Sequence, residues 1–316
     1  MTSAASSVPT RDGAAPLPEE SRVDLALRWA AARTEPMAER WLTARGLSSR
    51  TSTHLVHGLT EFVAFGVKAA WACLFAALLL LGIVVTSLWW PDALPLARYD
   101  FLVFYAVAIQ LAFLATRLER PREAIVILVF HLTGTAMEVF KTAQGSWTYP
   151  GEGVLFIGGV PLFSGFMYAA VGSYLARAWR TFEFRFDRHP PLWAVMTLAA
   201  AVYGNFFWHH HGPDLRWLLF AASILLFGPT MLRFRVLRFE VPMPLLLGFV
   251  LTSGFIYLAE NIGTLSATWT YPDQIGLWRP VSLTKWGSWY LLMLLSYGLV
   301  AMLHGGGRTK QGAPAS

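Results

Sequence analysis

Cysteine and charge are what this chain of 316 residues has least of. Its single cysteine, Cys73, stands inside an apolar run, so no disulfide can close within the chain and cysteine-rich metal sites are excluded. Charged residues make up 14% of the sequence, against about 25% in an ordinary soluble domain. The excess of 25 basic over 19 acidic residues, +6 at pH 7, is carried on short segments between long uncharged runs. It reflects membrane topology rather than a basic face for a duplex, and nucleic acid is excluded as a partner. The amino terminus lacks the apolar core of a signal peptide, because charge and proline occupy its place. What is abundant is apolar: 55% hydrophobic residues, 15% aromatic, and a mean hydropathy of +0.46. This is the composition of an all-α, polytopic membrane protein.

Residues 1–62 read as a cytoplasmic tail, Ala/Ser/Pro-rich to Pro18, followed over Glu19 to Arg45 by an amphipathic helix lying on the membrane surface. A transmembrane domain follows over 63–304, and 305–316 form a second cytoplasmic tail. Eight apolar runs are long enough to cross about 30 Å of hydrocarbon: 66–89, 100–116, 122–140, 155–179, 191–209, 215–232, 241–264 and 284–303. Arginine orients them. Arg117, Arg120 and Arg122 follow span two; Arg177, Arg180, Arg185 and Arg188 follow span four; Arg233, Arg235 and Arg238 follow span six. The other loops are poor in Lys and Arg, so both termini are expected in the cytoplasm of a bacterial inner-membrane protein.

An internal repeat stands out. EVFKTAQGSWTYP at Glu138 to Pro150 recurs as ENIGTLSATWTYP at Glu260 to Pro272, at a constant offset of 122 residues. Glu, Thr, Trp, Thr, Tyr and Pro all match. The copies end spans three and seven, which predicts two parallel four-helix halves, about 63–180 and 190–304, with a site at their interface. Trp and Pro are also what ends a helix at a membrane interface, but that reading leaves the glutamate unexplained.

Ionisable groups at membrane depth cost roughly 2.5 to 3.5 kcal/mol or more and usually face a bundle interior with a partner. His131 and Glu138 lie two turns apart on one face of span three, with Gly134 and Thr135 between them. Span five ends Asn205-Phe-Phe-Trp-His209-His210-His211, where Asn205 and His209 share a face. The charge pattern places this cluster on the same outer side as Glu138 and Glu260. Lys141 at i+3 from Glu138, and Arg216 beside Asp214, are candidate charge partners or holders of an anionic substrate group. Three chemistries fit. His131, His209 and His210, with the glutamates, could hold a divalent metal, although neither HExxH nor desaturase histidine boxes occur. Metal-free acid/base chemistry could use Glu138 and Glu260, with Tyr149 and Tyr271 as proton relays and the rings of Trp147, Tyr149, Trp269 and Tyr271 offering faces to a carbocation. Transport is the third, suggested by Pro161, Ser164, Gly165 and Tyr168 in span four, an apparent broken helix.

With His131, Glu138, GSWTYP, Val160 to Tyr168, Gly172 to Tyr174 and Asn205-Phe-Phe in this order, residues 60–300 resemble a bacterial integral-membrane family catalogued as domain of unknown function 817. That resemblance implies a bacterial multi-pass membrane protein and supplies no reaction. Glu138 to Tyr149 and Glu260 to Tyr271 are also similar to the duplicated segments of membrane carotenoid cyclases and hydratases, which implies acid catalysis on polyenes; the triple histidine and Asn205-Phe-Phe depart from that pattern. The expectation is an enzyme acting at the outer leaflet on a lipid or isoprenoid-like substrate by Glu/His acid–base or metal-assisted chemistry, at Glu138, Glu260, His131, Asn205, His209, His210, Tyr149 and Tyr271. The alternative is a small-molecule permease. The partners expected are membrane lipid and a hydrophobic small molecule.

Overall fold

The computed structural model describes residues 22–91 and 93–305, so residues 1–21 and 306–316, the bulk of the two expected tails, lie outside the described residues. The chain divides into two compact units at Ala64/Phe65.

In the first unit, α1 (Arg22–Ala44) turns at Gly46, whose φ of +94° suits glycine, into the start of α2 (Ser49–Ala72). Ser48 accepts the Thr51 N–H at 3.2 Å, the capping bond that satisfies an orphan donor of the first turn. His57 on α2 reaches back to Glu35 and Glu39 on α1, at 3.8 and 3.7 Å. Arg33 stacks on Trp29 and Arg45 on Trp41, one turn apart in each case, leaving both exposed indoles flanked by cations. α1 covers most of the stretch 19–45 over which an amphipathic helix is expected.

The second unit is a helical bundle: α3 (Leu74–Trp89), α4 (Arg98–Ala115), α5 (Pro121–Ala143), α6 (Phe163–Thr181), α7 (Leu192–Trp208), α8 (Arg216–Phe227), α9 (Leu245–Leu265) and α10 (Thr284–Leu303). α3 packs on α4 and α6, and α5 on α6; α7 packs on α8 and α10, and α9 on α10. Among the described residues four helices, α4, α5, α9 and α10, are long and apolar enough to cross a membrane, and the α2–α3 pair, bent by 66° at a break around Cys73, counts as a fifth if its two helices form one span. α7 and α8, at 17 and 12 residues, are shorter than the spans expected there.

Strands not expected in an all-α fold shorten other helices. Residues 155–162 of the expected fourth span hold a hairpin, β1 (Phe156–Ile157) with β2 (Val160–Pro161), turned by Gly158 and Gly159, both at positive φ. Pro161 therefore precedes α6 rather than breaking it. The arginine-bearing loops form an antiparallel sheet, β3 (Arg185–Asp187), β4 (Met231–Arg235) and β5 (Glu240–Pro244), with Arg185 opposite Arg233 and Arg235 opposite Glu240. β5 is an edge strand, where Pro242 and Pro244 cost no ladder bond on their outer side. Arg177, read as a loop residue, lies within α6 at 1% exposure, 3.9 Å from Glu119, and Arg180 forks onto Glu123 at 2.7 and 3.0 Å.

α5 and α6 approach closely because glycine on each admits a large side chain from the other. A Cβ on Gly134 would strike the Tyr168 ring, one on Gly172 the Phe130 ring, and one on Gly165 would meet His131 and Thr135. Gly134→Ala and Gly172→Ala are each expected to destabilise the fold by roughly 1 to 3 kcal/mol through overpacking. Gly204→Ala, which meets nothing within 4 Å, should be neutral. Thermal unfolding of the detergent-solubilised protein, followed by tryptophan fluorescence, measures the difference.

Candidate functional site

Glu138 lies in the penultimate turn of α5 and Glu260 in that of α9, and both are buried. After each helix the chain makes the same turn. Gln144, Gly145 and Ser146 donate to the carbonyls of Phe140, Thr142 and Lys141; Ser266, Ala267 and Thr268 donate to Ile262, Thr264 and Gly263, the positions 122 residues on. Gly145 takes a φ of +69°, and its counterpart Ala267 takes +49°, a left-handed conformation costly for a residue with a Cβ. The turn swings each WTYP segment back onto its glutamate. Trp147 Nε1–H and Tyr149 O–H both donate to Glu138 Oε2 at 2.7 Å. Trp269 Nε1–H and Tyr271 O–H donate to Glu260 Oε1 at 3.1 and 2.5 Å. The word that reads as an interfacial anchor is a pair of hydrogen-bond donors for a carboxylate nine and eleven residues before it.

The copies then join. Thr148 and Thr270 exchange both backbone bonds, N–H to O at 3.0 and 2.9 Å, as an isolated antiparallel bridge. The Trp147 ring meets Tyr271 edge-on, centroids 5.9 Å apart, and Glu138 and Glu260 lie within electrostatic reach of each other. From the start of α4, Tyr99 O–H donates to Thr268 O at 2.7 Å and Arg98 to Thr268 Oγ1 at 2.9 Å, while Asp100 accepts the backbone N–H of Val154 and Leu155. An open groove of about 630 Å³ lies beside this junction, lined in part by Arg98, Tyr99, Pro150, Gly151 and Ala267.

The two glutamates are not equivalent. Glu138 takes a third donor, Tyr168 O–H on α6, to Oε1 at 2.7 Å. Three donors on two oxygens suit an ionised carboxylate, which can only accept. Glu260 takes a third donor as well, the Trp289 side chain of α10, and in addition has Lys285 of the same helix within electrostatic reach, the ammonium 4.3 Å from the Tyr271 ring and 5.2 Å from that of Trp147. Those two ring faces, expected to be open to a carbocation, are thus already occupied by a cation of the chain itself. Neither Tyr168 nor Lys285 was placed at the site by the sequence; Tyr168 was legible only as a polar position on α6, and Lys285 as a cation in the first turn of a helix, against the macrodipole.

The remaining expected residues form a neighbouring cluster rather than a shell around the carboxylates. Lys141 does not pair with Glu138. Its ammonium sits between His209 Nε2 at 2.9 Å and His210 Nε2 at 2.7 Å, beside the Phe206 ring. His209 Nδ1 meets the Asn205 carbonyl at 2.9 Å, so His209 is the tautomer that donates there and accepts from Lys141. Burial, then the charges of Lys141, His209 and His211, hold His210 below the ordinary imidazole range, leaving its Nε2 lone pair for the ammonium. The Asn205 side chain ties the following loop, donating to Asp214 at 3.3 Å and accepting Leu215 N–H at 3.0 Å. Arg216 is paired with Asp214 at 2.5 Å. His131 packs in the notch at Gly165, its ring 4.5 Å from Phe166, and Tyr168 lies over Gly134 between it and Glu138. His131 therefore does not join His209 and His210, and among the described residues no three His, Cys, Asp or Glu side chains converge as metal ligands. The lone pairs of His209 and His210 that a metal would need are directed at Lys141.

Tyr149→Phe and Tyr271→Phe each delete one hydrogen bond to a buried carboxylate, expected to destabilise the fold by about 1.5 to 3 kcal/mol. In a double-mutant cycle with Glu138→Gln, Tyr149→Phe should show strong coupling, while Tyr271→Phe, which meets Glu138 only through the Trp147 ring, should couple more weakly. Denaturation midpoints of the four proteins in each cycle provide the measurement.

The uncharacterized protein YoaT of Bacillus subtilis (strain 168) is 43% identical to this chain over 248 residues, 78% of this chain and 93% of that protein. Among solved structures, a cross-linked trimer of MvINS is similar at 15% identity and a TM-score of 0.44, over 60% of this chain and 98% of that one. A mycobacterial Insig homolog, MvINS from Mycobacterium vanbaalenii, is similar at 17% identity and a TM-score of 0.41, over 60% and 94% of the two chains. Residues 61–297 match the family described as Protein of unknown function (DUF817), and with that match this multi-pass membrane chain belongs to the family.

Proposed function

We propose that the paired Glu–Trp–Tyr units are the centre of an enzyme that moves protons on a lipid or isoprenoid-like substrate. The observation that carries this reading is the burial of two carboxylates, Glu138 and Glu260, in matching shells joined at Thr148 and Thr270. A chain that only needed helix ends at an interface would place water-facing groups there, since a buried carboxylate costs several kcal/mol before its hydrogen bonds are counted. Glu138, which accepts from Trp147, Tyr149 and Tyr168, suits the base, with Tyr149 and Tyr168 as relays between it and a substrate. The Glu260–Lys285 side suits the acid, because the ammonium carries a proton that can be delivered and Tyr271 lies against it. His209 and His210 act through Lys141, Asn205 positions the loop that carries them, and His131 positions Tyr168 through the α5–α6 contact. The residues of the repeated segments, a glutamate followed by a Trp/Tyr-rich stretch as in the motif of carotenoid cyclases and hydratases, support our reading of a polyene or related isoprenoid substrate.

The architecture we infer is a duplication, α3 to α6 and α7 to α10, supported by the offset of 122 in both sequence and turn geometry. The full count of eight crossings rests on the apolar runs, and the cytoplasmic position of both termini on the arginine distribution. A second reading, a permease, is favoured by one observation: buried charges occur on both copies of a parallel repeat.

Profiling lipids and metabolites of a bacterial strain lacking its family member tests the function. Complementation with wild type should restore a changed species, while Glu138→Gln and Glu260→Gln should not, at equal membrane abundance. Profiles identical for wild type and both variants would remove the enzyme; uptake into proteoliposomes without chemical change would establish the permease. Orientation has its own test. In a Cys73→Ser background, an impermeant maleimide added to intact cells should label Glu152→Cys and spare Arg122→Cys, and the reverse pattern would invert the topology.

A further inference from the structure

Beside the glutamates stand three cations, and the proposed chemistry, which gives Lys285 a proton to deliver, leaves their gathering at one edge unexplained. Lys141 is buried at 7% exposure, yet its two hydrogen-bond partners are the imidazoles of His209 and His210 rather than a carboxylate, leaving one N–H of the ammonium to spare. Lys285 and Arg216 lie within electrostatic reach of Lys141 and of each other. Each of these two cations occupies the first turn of a helix, α10 and α8, and neither first turn contains an acidic residue. Cations there stand against the positive end of the macrodipole, and like charges gathered at a partly dehydrated edge repel. The acids nearby are committed or distributed. Asp214 takes Arg216 through its side chain at 2.5 Å and its backbone N–H at 3.0 Å, and for the Asp214 carboxyl these bonds, with one from Asn205, outweigh the opposing effect of burial and hold it below the usual carboxylate range. Glu260 already accepts from Trp269, Tyr271 and Trp289, Glu138 and Asp273 also lie within electrostatic reach of Lys285, and Asp214 within that of Lys141. His210, Arg216 and Lys285 are all partly exposed, so the cluster has an open side.

The geometry points to an oxyanion site: Lys141, Lys285 and Arg216, with His210 beside them, hold the phosphate-type headgroup of an amphiphile whose apolar tail reaches the glutamates. This deepens the reading of a lipid-like substrate and rests on it for the tail, but the headgroup site stands on the cations alone. A phosphate oxygen would take the spare N–H of Lys141, and its charge would offset the repulsion among the three cations. The indole and phenol faces that hold Lys285 keep its ammonium at the rim.

Native mass spectrometry of the full chain, purified in a neutral detergent, tests this with dioleoyl phosphatidic acid, dioleoyl phosphatidylcholine and inorganic phosphate as probes. Wild type should retain phosphatidic acid at least tenfold better than phosphatidylcholine. Lys141→Gln/Lys285→Gln should lose that preference, and Lys141→Arg/Lys285→Arg, which keeps the charges, should recover most of it. The charge-preserving pair guards against misfolding as the cause of loss. Competition by millimolar phosphate would show that the headgroup chemistry suffices and assign the site to free phosphate as well; retention of the lipid against phosphate would show that the tail contributes. Equal retention of both lipids by wild type, or an undiminished preference in the Gln pair, would overturn the site. Glu138→Gln should keep the lipid preference, so a variant that binds normally in a strain whose metabolites never change would remove the reaction while leaving the headgroup site intact.

Discussion

In hydrocarbon a polar group has only the chain itself to satisfy it, and this constraint shapes the end of the bundle where α5 and α9 terminate. Glu138 and Glu260 are buried where water cannot solvate them, so each must be surrounded by donors supplied from within about a dozen residues or from a packed neighbour. The Trp and Tyr of the repeated segment provide these donors at low entropic cost, because their polar tips sit at the end of rigid apolar bodies. For the rings to return, the helix must stop two turns beyond the glutamate and the chain must reverse tightly. Gly145 and Ala267 make that reversal. The left-handed residue, the hydrogen bonds of the turn and the aromatic donors are one device with several parts.

Its asymmetry is as informative as its repetition. The first copy completes its carboxylate with Tyr168, brought close because Gly134 leaves room for the ring. The second copy completes its carboxylate with Trp289 and adds a cation, Lys285, held against two aromatic faces. At the position of Lys141 the second copy carries Gly263, which is filled by the Trp269 ring. The same backbone frame thus presents an acceptor surrounded by hydroxyls on one side and an acceptor next to an ammonium on the other. Two environments for one residue type are what separate a base from an acid.

Much of this was legible in the sequence, and the limits have physical causes. Apolar runs fixed where helices lie, since each of the eight expected runs contains one, but run length overstates helix length wherever a glycine pair or an alternating basic–apolar stretch intervenes, as at Gly158-Gly159 and along Met231–Arg235. The offset of 122 located both glutamates and both tyrosines without any structural information. Lys141 was misassigned for a simple reason. Spacing along a helix says which side chains are able to meet, while the choice between Glu138 at i−3 and two imidazoles 68 and 69 residues away belongs to tertiary packing. Tyr168 and Lys285 come from α6 and α10, which no local pattern connects to a carboxylate on another helix.

The reciprocal bond pair between Thr148 and Thr270 acts as a spacer of fixed length shared by two loops. Because each threonine stands one residue from a Trp and one from a Tyr that grip a glutamate, adding or deleting a residue in either loop would pull on both grips at once. The two loops cannot drift independently over evolutionary time. Any change in the length of one must be matched in the other, so the duplicated segments are bound to remain recognisable copies long after the helices around them have diverged.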